Sequence, residues 1–235
     1  MPLRAALFDF GGTLLDLESD RRARLASYEA LAKKLQMETK GTELRDAFDM
    51  IVSPAWARAD GAYVSQRDLL HDAFFEVLPS LGQDVSAKDW IWFWGAYLSL
   101  HKQLLIPEPF SASVLIEAKE LGLHVGLLSD IDDDFLEVAL AATNLRPYLQ
   151  AVTTSQEVRR TKPAKEMFLA ALAKAGCSAA EAVYVGDSLD RDVRGAKGVG
   201  MRAVHYSEDA CRAADYCLPS HQDLAALLRE LGGKA

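Results

Sequence analysis

Short apolar runs alternate along the chain with longer stretches of helical period. Five runs, at positions 5–10, 124–128, 152–154, 182–185 and 202–205, are rich in apolar or β-branched residues and stop at small or acidic ones. Near-continuous apolar character is what a parallel strand covered on both faces requires, so all five are predicted as buried strands. Between them, 111–121, 134–144, 165–175 and 190–198 repeat apolar residues every three or four positions, the spacing of one helix face. Strand and helix in turn predict an α/β fold, a doubly wound parallel sheet.

One region breaks the alternation. From about 20 to 105 the pattern is helical only, over 21–35, 42–52, 66–78 and 87–104, and Pro107 with Pro109 then interrupts it. The expected organisation is a core of residues 1–15 and 106–235, with an all-helical unit, 16–105, inserted after the first strand. Trp90, Ile91, Trp92, Phe93, Trp94 and Tyr97 form an aromatic stretch that helical period divides between faces. Most of it is expected in the core of the helical unit, the remainder lining an apolar pocket or a homodimer interface.

Charge narrows the partners. The 235 residues carry 26 Lys and Arg against 34 Asp and Glu, a formal charge of −8. A broad nucleic-acid or anionic-membrane footprint needs clustered cations, so neither partner is expected, whereas a small anion can still bind locally. The longest uncharged apolar stretch, 90–100, is shorter than the roughly 20 residues of a membrane span. An acid at Asp9 interrupts any N-terminal export signal. Cys177, Cys211 and Cys217, without a Cys-x-x-Cys pair, are expected as small buried residues of a reducing, cytoplasmic compartment.

In an open α/β sheet ligands bind beyond the carboxyl ends of the strands. Four segments meet that condition: Asp9 with Gly11, Gly12 and Thr13; Ser129 with Asp130; Thr161 with Lys162 and Pro163; and Gly186 with Asp187, Ser188, Asp190 and Asp192. Singly, each has an ordinary structural explanation. An Asp or Ser after a strand caps the next helix, and a Lys before Pro is a surface lysine. Together they bring carboxylates, a hydroxyl, an ammonium and glycine turns to one edge, a set suited to phosphoryl transfer. Asp9 is the candidate nucleophile. Asp187 and Asp192, with Asp9 and a backbone carbonyl, are candidate oxygen ligands for Mg²⁺. Ser129 and Lys162 are placed to hold the phosphate oxygens, and Gly11 and Gly12 to turn the backbone toward them.

In this order the segments resemble the four motifs of the haloacid dehalogenase-like hydrolase superfamily: Phe8 to Leu14, Leu127 to Asp130, Lys162-Pro163, and Val185 to Ser188 followed by Asp192, Gly195 and Ala196. The resemblance implies a Rossmann-like core, an aspartyl nucleophile at Asp9, phosphate or substrate contacts from Ser129 and Lys162, and Mg²⁺ held by Asp9, the Gly11 carbonyl and Asp187. Gly12 and Asp130 are further expected substrate contacts, and Asp192 a further metal ligand. It also implies that the helical insertion is a mobile cap. In phosphatases of this superfamily the position two after the nucleophile is an acid that protonates the leaving group, and here it is Gly11. General acid–base help, commonly worth about 10²- to 10⁴-fold, therefore has to come from elsewhere or be unnecessary. Asp16 and Glu18 are candidates to reach back.

The expected function is a Mg²⁺-dependent phosphatase of a small phosphate ester. The alternatives are an L-2-haloacid dehalogenase with Arg21, Arg22 or Arg24 on the substrate carboxylate, a phosphonoacetaldehyde hydrolase using Lys33, Lys34 or Lys40, and a non-catalytic phosphate-binding protein. His101, His124, His205 and His221 show no ligand spacing and are expected to be structural or exposed.

Overall fold

The computed structural model describes residues 2–57, 61–207 and 213–232. Six parallel strands, β1 (Ala5–Phe8), β2 (His124–Ser129), β3 (Ala151–Thr154), β4 (Ala182–Gly186), β5 (Arg202–Tyr206) and β6 (Tyr216–Leu218), form one sheet in the order β3-β2-β1-β4-β5-β6. The five expected strands are all present. β1 stops at Phe8 rather than at position 10, because the Phe10 carbonyl accepts the amides of Thr13, Leu14 and Leu15 and the chain turns there. β6 lies outside the expected elements.

Side chains leave alternate faces of a strand, and both faces here are apolar. Ala6, Phe8, Val125, Leu127, Val183 and Val185 join the cluster under α5 (Ser111–Glu120) and α10 (His221–Leu231). Ala5, Leu7, Leu128, Ala182 and Tyr184 pack on the other side against α8 (Lys165–Ala175) and α9 (Arg194–Gly198). Phe8 pairs in register with both Leu127 and Val185, so Asp9 follows one residue and Ser129 and Asp187 two residues beyond a shared level, at the same edge of the sheet.

Between β1 and α5 the chain forms four helices, α1 (Leu17–Lys34), α2 (Gly41–Ala57), α3 (Gln66–Ser80) and α4 (Ala87–Leu104), with no strand among the described residues. They close over their own core of Tyr28, Phe48, Phe74 and Phe93, whose rings lie 5.0 to 6.1 Å apart around Phe93 and Phe48. Trp90, Trp94 and Tyr97 are buried too, while Ile91 and Trp92 face outward. The outgoing and returning connections run side by side: the Asp16 amide donates to the Ile106 carbonyl at 3.1 Å and the Glu108 amide to that of Leu14 at 2.9 Å. α6 (Asp133–Thr143) carries α4 on the sheet side, and the short α7 (Ser155–Val158) follows β3.

The cysteines depart from expectation, since neither Cys177 nor Cys217 is fully buried. Cys217 is disulfide-bonded, whereas Cys177 is free and Cys211 lies outside the described residues. A disulfide needs only spatial approach of two sulfurs, which the missing Cys-x-x-Cys spacing does not exclude. No helix among the described residues is long and apolar enough to cross a membrane.

Candidate active site

A cavity of about 620 Å³ lies between the carboxyl edge of the sheet and the helical insertion. Asp9, Gly11, Ser129, Asp130, Lys162, Asp187 and Asp192 line its sheet side, and Asp20, Arg24, Asp49, Trp56 and Tyr97 its helical side. Sequence-expected site residues thus come together at one place, with Gly12 beneath them.

Lys162 is the hub. Its ammonium is 2.7 Å from Asp9 Oδ1 and 2.6 Å from Asp192 Oδ1, with all three side chains nearly inaccessible. It also donates to the Tyr184 hydroxyl at 3.2 Å. Burial alone would lower the Lys162 pKa, but the charges of Asp192, Asp9 and Asp130 outweigh it and hold the group above the usual lysine range. Asp9 moves upward too: burial removes its water and Asp192 and Asp187 add like charge, against the pull of Lys162.

Asp192 has both oxygens engaged. Oδ1 takes Lys162 and lies 3.1 Å from the Tyr184 hydroxyl, and Oδ2 accepts the Ser188 amide at 3.0 Å. Asp130 is engaged likewise: Oδ1 accepts the Lys162 amide at 2.9 Å and Oδ2 pairs with Arg191. These two carboxylates hold the lysine from opposite ends. Asp9 Oδ1, by contrast, is buried, and its close partner is the Lys162 ammonium, an ion pair rather than a well-angled hydrogen bond. Oxygen atoms of Asp9, Asp187 and Asp192 lie within 4.8 Å of one another, a donor set for a hard cation.

Two glycines make room for this. A Cβ at Gly12, whose φ is +73°, would stand 2.4 Å from Asp187 Oδ2, and one at Gly186 would stand 2.4 Å from Asp192 Cγ. Ser129 ends β2 facing the cavity, and its hydroxyl has no hydrogen bond within the described residues.

Several members escaped sequence reasoning. Tyr184 was signalled only as a phenol inside an apolar strand. Arg191 sits over the Trp56 ring at 5.8 Å and pairs with Asp130 across 61 residues, which no local pattern reveals. His205 Nε2 lies 2.9 Å from the Asp187 carbonyl and steadies that backbone, in keeping with its expected structural role. Asp16 does not reach the cavity: it caps α1 through the Ser19 amide. Glu18 is exposed and pairs with Arg21 at 3.4 Å, and Lys33, Lys34 and Lys40 are not among the lining residues.

The helical unit is also tied to the sheet outside the cavity. Asp132, just past β2, accepts the Tyr63 hydroxyl at 2.7 Å, the Ser65 hydroxyl at 3.0 Å and the Arg67 amide at 3.0 Å. The Thr161 amide donates to the Gly61 carbonyl at 3.0 Å, beside Lys162.

Comparison with known proteins agrees with this geometry. The family described as haloacid dehalogenase-like hydrolase matches residues 3–200. A glyceraldehyde 3-phosphate phosphatase of Methanocaldococcus jannaschii is 31% identical over 141 residues, 57% of this chain, and the match spans 62% of that relative's length. A crystal structure of a HAD phosphatase from Thermococcus onnurineus is 28% identical, with a TM-score of 0.68 over 96% of this chain and 98% of that one. The L-2-haloacid dehalogenase of Xanthobacter autotrophicus shares the fold at 21% identity, with a TM-score of 0.73 over 97% and 98% of the two chains.

Proposed function

Because the chain belongs to the haloacid dehalogenase-like hydrolase family, we propose that it hydrolyses a small phosphate ester through a phosphoryl group carried on Asp9, with Mg²⁺ as cofactor. The observation that carries this reading is the acidic trio. A dehalogenase acting on an anionic haloacid has no use for three clustered carboxylates, whereas a phosphatase needs them to hold a divalent cation. The phosphatase relatives, of which the chain covers only part, point the same way.

Asp9 and Asp187, with the Gly11 carbonyl, would hold the ion, and Asp192 would border it while orienting Lys162. Once bound, Mg²⁺ would supply positive charge that draws the phosphate's non-bridging oxygens toward the carboxylates and keeps Asp9 ionised. The chain's own groups do the rest. An Asp9 oxygen attacks phosphorus as the ester oxygen leaves, and Lys162 and the Ser129 hydroxyl hold the transferring oxygens. Water then releases phosphate from Asp9. The helical unit, 16–105, acts as a cap on the core, 1–15 and 106–235: it excludes bulk water and shapes the leaving-group side of the cavity.

Release of p-nitrophenol from its phosphate ester, with Mg²⁺ and with chelator, tests the reading in the native protein and in Asp9→Asn. Turnover that needs both the ion and Asp9 is expected. Chloride release from L-2-chloropropionate without metal would replace it with the dehalogenase reading, and tight phosphate binding without turnover would replace it with a binding protein.

A further inference from the structure

An ester whose leaving oxygen is a poor anion needs a proton from a group other than the nucleophile, and residue 11 has no side chain to give one. Among the described residues the cavity wall holds six carboxyl groups: Asp9, Asp20, Asp49, Asp130, Asp187 and Asp192. Asp9 is the nucleophile and Asp187 belongs to the acidic trio. Asp130 and Asp192 have both oxygens engaged. Asp49 accepts the Arg24 guanidinium at 2.5 Å and is committed to that partner. Only Asp20 remains.

Its position suits the task. Leu17 Cδ2 lies 3.8 Å from where a Cβ on Gly11 would stand, and its Cδ1 3.1 Å from that on Gly12. The first turn of α1 therefore borders the place a side chain at residue 11 would occupy. Asp20 is three residues further on the same helix face, and both line the cavity. Behind it stands His101, fully buried, with Nδ1 2.7 Å from the Tyr97 carbonyl. A carbonyl can only accept, so Nδ1 carries the hydrogen and Nε2 presents a bare lone pair. That Nε2 has no hydrogen-bond partner and lies 3.7 Å from Asp20 Oδ1. A lone pair facing a carboxylate is unfavourable, and facing a protonated carboxyl it is favourable. Burial raises the Asp20 pKa, against the lowering influence of Arg24 and Arg21 on its own helix, and neutral His101 adds no charge from α4.

We propose that Asp20, supplied by the helical unit, is the general acid and base of this site in place of the absent side chain at residue 11. The role rests on the aspartyl-phosphate reading above. In the first step an Asp9 oxygen bonds to phosphorus, the bond from phosphorus to the leaving oxygen breaks, and that oxygen takes the Asp20 proton. In the second, Asp20 as carboxylate takes a proton from water while the water oxygen bonds to phosphorus. The bond from phosphorus to the Asp9 oxygen then breaks, leaving free phosphate and a protonated Asp20.

The test is kcat/KM of the Mg²⁺-loaded enzyme on aryl phosphates of similar size whose phenols range from strongly to weakly acidic. Native enzyme is expected to vary little across the series. Asp20→Asn should match it within about threefold on p-nitrophenyl phosphate and fall about 10²- to 10⁴-fold behind on the least acidic phenol. Asp20→Glu should restore the shallow dependence, and thermal unfolding of each variant checks folding. Independently of turnover, carbon NMR of metal-free protein, assigned by loss of the signal in Asp20→Asn, should find Asp20 still protonated where exposed aspartates are ionised. Equal dependence on the leaving group in native and Asp20→Asn enzymes, or titration of Asp20 near the ordinary value of about 3.9, overturns the role and leaves the phosphatase reading standing. A native enzyme that hydrolyses none of the esters removes that reading and this role with it.

Discussion

The two walls of the cavity are built on different principles. On the sheet side, Lys162, Asp192, Asp130, Tyr184 and Arg191 form a connected network in which the Lys162 ammonium and both oxygens of Asp130 and Asp192 are committed, with Asp9 at its open end. On the helical side, Arg24 and Asp49 neutralise each other, while Asp20 and the His101 Nε2 face one another beyond hydrogen-bond distance. A saturated network holds a nucleophile and a phosphate in one geometry. A loosely paired wall leaves polar atoms free to meet a leaving group and to exchange a proton. On the proposed reading, the strand ends would hold the phosphoryl group and the helices would handle the protons of the leaving group and of water.

Breaking the sheet-side network should have the largest effect. Lys162→Met removes the cation shared by two buried carboxylates, so it is expected to destabilise the fold by about 3 to 5 kcal/mol in urea titration. Activity should fall about 10²- to 10³-fold, since charge on the transferring oxygens loses its main protein donor. Milder replacements on the helical side should leave transfer of the phosphoryl group from good leaving groups to Asp9 in place.

The helical side should show itself in pH. Burial lowers the His101 pKa from the usual 6.5 to about 4, so the folded protein holds this ring neutral while the unfolded chain binds a proton. Its stabilising contribution is complete above pH 6.5 and is lost as pH falls from there toward 4, by up to about 3 kcal/mol. The difference in unfolding free energy between native protein and His101→Gln, measured from pH 7.5 to 4, should shrink by about that amount.

Gly12→Ala sharpens the comparison from the other direction. It places a Cβ against Asp187 and forces a side chain into left-handed backbone, a strain of roughly 1 to 2 kcal/mol. The expected signature is a higher Mg²⁺ requirement in the ester assay, with thermal unfolding shifted only modestly. Smallest should be Asp132→Asn. This keeps the shape of the tie between the two units but weakens three hydrogen bonds to Tyr63, Ser65 and Arg67. Faster protease cleavage around residues 63–67 and a change of a few-fold in KM are expected, with little change in stability.

The sheet side was legible in sequence and the helical side was not, for a physical reason. Asp9, Ser129 and Asp187 each follow an apolar run, and a run that stops at a polar residue marks a strand end, where ligands of such sheets bind. Asp20 and His101 face each other from helices 81 residues apart, and helical period shows only which face they share with their neighbours. Asp192 and Asp130 could be named but not oriented, because hydrogen bonds to Lys162 arise only once three loops are placed. The 221–231 helix had a readable signal in Ser220, whose hydroxyl takes the Asp223 amide, and in Leu224, Leu227 and Leu228. β6 had little, as three residues are too few for a period to show.

The central claim is that phosphorus is transferred to Asp9. Acid quenching of the Mg²⁺-loaded enzyme during turnover of p-nitrophenyl phosphate, followed by mass spectrometry of its peptides, reads that transfer directly. A phosphoryl adduct on the peptide holding Asp9, absent from Asp9→Asn, is the expected result. Turnover with the adduct on another residue, or with Asp9→Asn as active as the native protein, would contradict the account.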